Sequence, residues 1–220
     1  TANADWAATV DELLARPEYG ERWARHWLDV VRYADSNGYE RDAEKPFVWR
    51  YRDYVIESLN KDKPFDRFIL EQIAGDELDD ASIESNIATG FLRLGHWDDE
   101  PADPATDRYD QLDDIVSTTS QTFLGLTIGC ARCHDHKFEP LRTQDYYSFV
   151  AVFQPLERPR NGRTEQTVKI GETDVYAWRE PAAKAPDTHI LLRGSPTRRG
   201  ELVGPAVPVI LAKEQPAFPP

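Results

Sequence analysis

The sequence predicts a mainly α fold, with a helical domain over residues 1–155 and a β-rich extension with a Pro-rich linker over residues 156–220. Through the first two thirds of the chain, apolar residues recur at the three- and four-residue spacing of one helix face. After Gln154 the pattern changes to short β-prone runs separated by glycine and proline. Because 40% of the 220 residues are hydrophobic and 11% are aromatic, the chain has enough apolar surface for a core.

The predicted helices follow from these apolar stripes. In the clearest stripe, Trp23, His26, Trp27 and Val30 fall on a single helix face. Further helices are predicted at residues 6–14, 51–59, 64–73, 109–126 and 143–153, the last of them with Thr143 as its N-cap.

The predicted strands lie at residues 167–170, 175–178, 189–193 and 207–211. Four side chains of this part of the chain offer stacking and hydrogen bonds to a ligand: Tyr176, Trp178, Arg179 and Arg193. Ordinary sheet packing explains the aromatic residues more simply.

The charge of the chain argues against two classes of partner. Lys and Arg number 26 and Asp and Glu number 39, which gives a net charge of −13 at pH 7. Nucleic acids and anionic membrane surfaces attract basic proteins, so we expect neither as a partner. No run approaches the roughly 18 apolar residues of a membrane span. The chain has no methionine, even at position 1, so we expect a mature or excised fragment.

Carboxylates concentrate between residues 98 and 114, where eight stand against one arginine. Such a stretch is usually a solvated surface, although it also suits the docking of a basic partner or a Ca²⁺ site. A second set of oxygen-bearing residues surrounds Gly38, between Asp35 and Asp42. It lacks the sixth-position glycine and distal glutamate of an EF-hand, so a hydrogen-bonded turn is the simpler interpretation.

The chemistry of the chain concentrates in its only two cysteines, Cys130 and Cys133, which are followed directly by His134. C-x-x-C-H is the attachment signature of c-type haem. Two thiols at this spacing can form thioethers with the two vinyl groups of one porphyrin edge, and the adjacent imidazole can ligate the iron. The sequence therefore predicts one covalent haem c.

Three other interpretations of the two cysteines are weaker. A redox disulfide favours a thioredoxin-like βαβ context, whereas this region is predicted to be helical. A zinc site formed by Cys130, Cys133, His134 and His136 is cramped, because neighbouring residues rarely reach one tetrahedral centre. Two buried structural thiols would not explain the spacing.

The second axial ligand of the iron is open. Without methionine the chain cannot supply His/Met ligation, and His26 is the first choice because its apolar stripe predicts burial of the imidazole. A buried histidine bonded to a carbonyl or carboxylate is the competing interpretation. The other candidates are His96, His189, a tyrosine, a lysine or an open site.

Several basic residues near the motif suit the haem propionates. His136 follows His134 too closely to reach the opposite side of the ring, so a propionate or a carboxylate is its more natural partner. The same role is open to Arg132, Lys137 and Arg142.

The run Cys-Ala-Arg-Cys-His-Asp-His-Lys-Phe at residues 130–138 resembles the planctomycete-type cytochrome c domain of uncharacterised function. Matching segments cover nearly the whole chain, at residues 23–39, 51–55, 64–68, 72–76, 88–91, 110–114, 122–126 and 191–194. The resemblance implies haem c at Cys130, Cys133 and His134. It also implies further domains in a larger secreted or envelope protein, in a genomic setting that suggests polysaccharide breakdown.

These observations lead to three functional hypotheses. The first is a mono-haem cytochrome module that transfers electrons outside the cytoplasm, in the periplasm, envelope or medium, to a redox partner with a basic face. The second is a haem enzyme whose open distal site acts on peroxide, oxygen or an organic substrate. The third is a ligand-binding module without redox chemistry.

Overall fold

A computed structural model describes residues 5–181, 185–212 and 214–218. Within these ranges the chain forms seven α-helices and six short strands. The helices are α1 Trp6–Leu14, α2 Glu18–Val30, α3 Trp49–Asn60, α4 Phe65–Ala74, α5 Ile83–Ala88, α6 Pro104–Thr119 and α7 Thr143–Phe153. The strands are β1 Arg160–Asn161, β2 Thr164–Glu165, β3 Val168–Ile170, β4 Thr173–Val175, β5 Thr188–Leu191 and β6 Arg199–Val203.

The strands form three antiparallel pairs, β1 with β2, β3 with β4 and β5 with β6. Gly162 and Gly171 lie between the strands of the first two pairs at φ of +59°, a conformation that glycine adopts without steric cost. The predicted mainly α class is therefore wrong, and the fold is mixed α/β. Periodicity alone could not show this, because such short strands are stabilised by their pairing and not by an apolar pattern of their own.

By their contacts the described residues divide into two compact units that are interleaved along the sequence. Unit 1 comprises residues 1–36, 44–94 and 166–177, and unit 2 comprises residues 37–43, 95–165 and 178–220. The domain boundary after residue 155 stays a prediction.

Unit 1 is built on the packing of α2 against α3, with α4, α5 and the β3–β4 hairpin. Gly20 permits a close approach of the two helices, since a Cβ there would lie 2.5 Å from the carbonyl oxygen of Ile56. The buried core includes Tyr51, Val55 and Phe68.

A buried arginine fastens the hairpin into unit 1. Arg93 is fully buried, and its Nη1 donates to the carbonyl oxygens of Gln166 and Ala177, both at 2.9 Å. Its guanidinium carbon lies 4.1 Å from the ring centroid of Tyr176. The end of the hairpin segment, Val175, Tyr176 and Ala177, is thus buried in a helical unit.

Unit 2 contains α6, α7, the β1–β2 and β5–β6 pairs and a short 3₁₀ segment, Ile128–Arg132. Its buried side chains include Leu112, Ile115, Ile128, Leu141, Tyr147 and Leu191.

Helix α6 differs from its prediction at both ends. It begins at Pro104 because Asp103 caps it, with its carboxylate accepting from the backbone N–H groups of Ala105 at 3.0 Å and Thr106 at 3.4 Å. A π-helical segment, Ser120–Leu124, follows and ends at Gly125, whose φ is +66°.

The remaining predictions had mixed outcomes. The helices at residues 6–14, 51–59, 64–73 and 143–153 are confirmed as α1, α3, α4 and α7, but the N-cap of α7 is Arg142 and not Thr143 as predicted. No strand forms at residues 207–211, where the backbone turns after Pro208, and β6 was not predicted. No helix in the described part of the chain is long and apolar enough to cross a membrane.

Candidate functional site

The cysteine motif lies on a short 3₁₀ turn at the surface of unit 2. The turn is anchored by Ile128 and Ala131, which are fully buried, whereas Cys130, Cys133 and the ring of His134 are exposed. Because a 3₁₀ helix has three residues per turn, positions i and i+3 lie on the same side. Cys133 follows the last residue of the segment, and its N–H donates to the carbonyl of Cys130 at 3.4 Å. The fold therefore presents two free thiols on one exposed side of the turn.

The imidazole of His134 is oriented by its own chain. Its Nδ1 lies 2.8 Å from the carbonyl oxygen of Asp135, which can only accept a hydrogen bond. In the neutral ring this contact places the proton on Nδ1, and Nε2 then keeps its lone pair. A histidine held in this way has the tautomer that ligates a metal through Nε2.

Arg132, between the two cysteines, points toward α6. It pairs with Asp110 at 2.6 Å and with Asp113 at 3.4 Å. Burial disfavours its charge, but the hydrogen bond to Asp110 and the charge of Asp113 outweigh burial and raise the pKa of Arg132. The guanidinium is therefore already bound to carboxylates, although it was predicted to meet a propionate.

Two buried tyrosines stabilise the turn through hydrogen bonds of their hydroxyl groups. The hydroxyl of Tyr147 donates to the carbonyl of Arg132 at 2.9 Å, and the hydroxyl of Tyr146 donates to Asp113 at 2.5 Å. Burial raises the pKa of both hydroxyls, so they stay protonated donors at neutral pH.

The residues after His134 form a tight loop. The Nδ1 of His136 accepts from the backbone N–H of Glu139 at 2.9 Å and from that of Phe138 at 3.3 Å. The carboxylate of Asp135 accepts from the N–H of Thr143 at 2.8 Å, at the start of α7. His136 is thus a turn-forming residue in this structure, and the support by Asp135 was not predicted from the sequence.

The loop ends in an exposed aromatic residue. Phe138 is 84% exposed, and the Nζ of Lys137 lies 5.1 Å from its ring centroid. Arg142, which was grouped with these bases, instead pairs with Asp145 at the start of α7, at 3.2 Å.

A second segment flanks the motif where β5 ends. Gly194 has φ of +71°, and a Cβ at this position would lie 2.9 Å from the Sγ of Cys133. In the sequence, residues 191–194 are connected with the motif only through the resemblance to the family. The structure explains the glycine, because only a residue without a side chain fits against the thiol.

The candidate distal histidines occupy different places. His26 lies on α2 in unit 1, where it is exposed and not buried as predicted, 5.5 Å from the ring of Trp23. His96 stacks on Tyr39 at 6.2 Å, and the Nδ1 of His189 lies 3.1 Å from the carbonyl of Gly200, both within unit 2.

Other metal sites receive no support from the geometry. In the ranges that the structure describes, no three or more His, Cys, Asp or Glu side chains are placed to hold one ion. Several acids of residues 98–114 already have protein partners, among them Asp99 and Glu100 with Arg41. Gly38 donates its N–H to Asp42 at 2.7 Å, as in a hydrogen-bonded turn.

The donor set fits haem c on the chemistry that its attachment requires. Neither cysteine forms a disulfide, both are exposed, and the adjacent imidazole keeps a free Nε2. The buried side chains under the turn hold the cysteines and the histidine in place without occupying the thiols or Nε2. Cys130, Cys133 and His134 therefore suit a covalently attached haem.

Comparison with known proteins gives a family and nothing finer. No curated protein and no solved structure matches the chain. A family model described as PSCyt2, a protein of unknown function (DUF1549), matches residues 1–158, which include the cysteine motif and all seven helices. The chain belongs to the PSCyt2 family.

Proposed function

We propose that the chain is a c-type cytochrome module, which binds one haem covalently through Cys130 and Cys133 and transfers electrons outside the cytoplasm. The observation that carries the proposal is the exposed turn, which holds both thiols on one side and leaves the Nε2 of His134 available. A bound haem would supply one-electron redox chemistry at its iron.

Each residue of the site would have a separate role. Each cysteine thiol would add across one vinyl group, so that a C–S bond forms and the thiol proton passes to the neighbouring vinyl carbon. His134 would ligate the iron through Nε2, while the carbonyl of Asp135 keeps the proton on Nδ1 and makes the ligand more basic. Arg132 and Tyr147 would hold the backbone of the turn.

The location and partner follow from the same chemistry. Thioether attachment takes place outside the bacterial cytoplasm, which assigns the module to the periplasm, the envelope or the medium. A net charge of −13 favours a redox partner with a basic face. A role beside polysaccharide-degrading domains of a parent chain is part of the proposal and rests on the family resemblance.

Attachment is tested by producing the chain together with a bacterial cytochrome c maturation system. The expected product gains the mass of one haem, and the haem stays with the chain in denaturing electrophoresis. Cys130→Ser with Cys133→Ser should abolish attachment, whereas Thr127→Ser, a conservative change at an exposed residue just before the turn, should not. A chain that stays haem-free while a reference cytochrome matures in the same cells would refute the proposal.

The visible spectrum then distinguishes electron transfer from catalysis. Sharp low-spin bands in both oxidation states indicate two strong axial ligands and electron transfer. Variants of His26, His96 and His189, each to alanine, identify the second ligand by a change in spin state and potential. High-spin bands that shift with cyanide or carbon monoxide would instead indicate an open distal site, and the electron-transfer role would be wrong.

A further inference from the structure

Unit 1 contains a cleft that includes no residue of the cysteine motif. It is lined by side chains of α2, of the end of α3 and of the start of α4, and its volume is about 410 Å³. Clefts of about 300–1,000 Å³ accept small organic ligands. Trp23 and Phe65 stand on its border and are 53% and 63% exposed, which is costly for large aromatic side chains unless something covers them.

The aromatic rings of the cleft form walls and not a flat stack. Trp27 meets Phe65 at an interplanar angle of 88° and Phe68 at 59°. Tyr19 meets Trp23 at 52°. Rings that stand at steep angles to one another suit a rounded ligand, whereas parallel rings suit a flat one. The negative faces of such rings attract a cation, and tryptophan does so most strongly.

The floor of the cleft is fixed before any ligand binds. The indole N–H of Trp27 donates to the hydroxyl of Tyr51 at 3.1 Å and to the Oε1 of Gln72 at 3.0 Å. Tyr51 and Gln72 are themselves buried. A ligand would therefore bind to a preformed floor and would not have to order its side chains, which favours affinity.

The charges around the cleft also favour a cation. The carboxylate of Asp62 lines it and has no hydrogen-bond or ion-pair partner in the part of the chain that the structure describes. Lys63 lines it too, but its ammonium donates to Glu71 at 2.5 Å and to Glu84 at 3.0 Å, which neutralise it. The aromatic walls thus have one uncompensated carboxylate beside them.

We propose that this cleft binds a small quaternary ammonium compound, with its methyl groups against Trp23, Trp27 and Phe65 and its charge balanced by Asp62. The alkyl surface of such a cation suits the apolar walls, and its positive charge suits the rings and the carboxylate. Attachment of haem at Cys130 and Cys133 uses no residue of this cleft, although His26, a candidate second iron ligand, also lines it.

Isothermal titration of the whole chain with choline tests the proposal. Its neutral isostere, 3,3-dimethylbutan-1-ol, has the same shape without the charge and is the decisive comparison. We expect saturable binding of choline and at least a tenfold weaker affinity for the alcohol. Equal affinity for both, or no saturable binding of choline, would overturn the proposal.

Two variants locate the site, each with a matched control. Trp23→Ala and Asp62→Asn should each weaken choline binding by about five- to tenfold. Asparagine tolerates the left-handed backbone of residue 62, whose φ is 49°, so this variant changes little except the charge. The controls are Trp6→Ala, which removes an exposed tryptophan of α1, and Asp66→Asn on α4. Controls that weaken binding as much as the cleft variants would place choline elsewhere and refute the assignment.

Discussion

Replacing Arg93 by methionine should destabilise the protein strongly, because this buried side chain connects the β3–β4 hairpin to the helices of unit 1. Its Nη1 makes two charge-assisted hydrogen bonds, to the carbonyls of Gln166 and Ala177. Such bonds contribute about 1.5–3 kcal/mol each, and a buried cation over a ring adds about 1–2 kcal/mol. Methionine restores part of the packing but removes both hydrogen bonds and the contact of the cation with the ring, so the net loss should be about 4 kcal/mol.

Urea denaturation followed by circular dichroism measures this loss. With a slope of about 3 kcal/mol per molar urea, the midpoint should fall by about 1.3 M. Arg52→Met is the matched control, since Arg52 pairs only locally with Asp53 near the surface and should cost less than about 0.5 kcal/mol. A loss below about 1 kcal/mol for Arg93→Met would show that the two carbonyls find other donors, and the reasoning would fail.

Three further predictions concern the motif, pH and salt. Gly194→Ala should lower the free energy of unfolding by about 1–2 kcal/mol in thermal denaturation, because φ is +71° and the new methyl group would meet the Sγ of Cys133. The same substitution should slow alkylation of Cys133 relative to that of Cys130. Burial would raise the pKa of Glu71, but hydrogen bonds from Lys63, Arg67 and Tyr54 outweigh burial and lower it. The unfolded chain therefore binds this proton more readily than the folded chain does. The stability that Glu71 contributes should be present above about pH 4.3 and be lost as the pH falls below it. Glu71→Gln should flatten the dependence of unfolding free energy on pH between about 2 and 5, and an unchanged slope would contradict the assignment. Electron exchange of the haem-loaded module with a basic redox protein should slow as ionic strength rises, and stopped-flow rates that do not depend on salt would remove the docking role of the acidic charge.

The helices were the part of the fold that the sequence pattern predicted well. Repeated apolar spacing over ten or more residues, as in α3 and α4, reflects a face that must be buried. The start of α6 was missed although Asp103 and Pro104 are a readable N-cap and first turn, because the surrounding acids suggested a loop. The strand β6 could not be read from Arg199–Val203, a largely polar run that is stabilised by pairing with β5.

At the candidate site, the cysteine motif could be predicted from the sequence, but the contacts that hold it in place could not. The spacing of Cys130, Cys133 and His134 is local information, and the structure places all three at the surface together. The contacts of Arg132 with α6, of Tyr147 with the turn and of Gly194 with Cys133 join residues far apart in sequence. His136 was expected to bind a propionate or a carboxylate, but its backbone hydrogen bonds depend on the shape of a loop that no spacing rule describes.

Because the two units are interleaved along the sequence, the position at which the chain is cut into fragments matters. The family match ends at residue 158, and a fragment cut there would contain the whole cysteine motif and the seven α-helices of the described residues. It would nevertheless remove residues 166–177, and with them the carbonyl partners of Arg93. Such a truncated fragment would remove two hydrogen-bond acceptors from a guanidinium that is buried in a helical core. Fragment design should therefore follow the path of the hairpin and keep the chain at least through residue 177, well beyond the end of the sequence match.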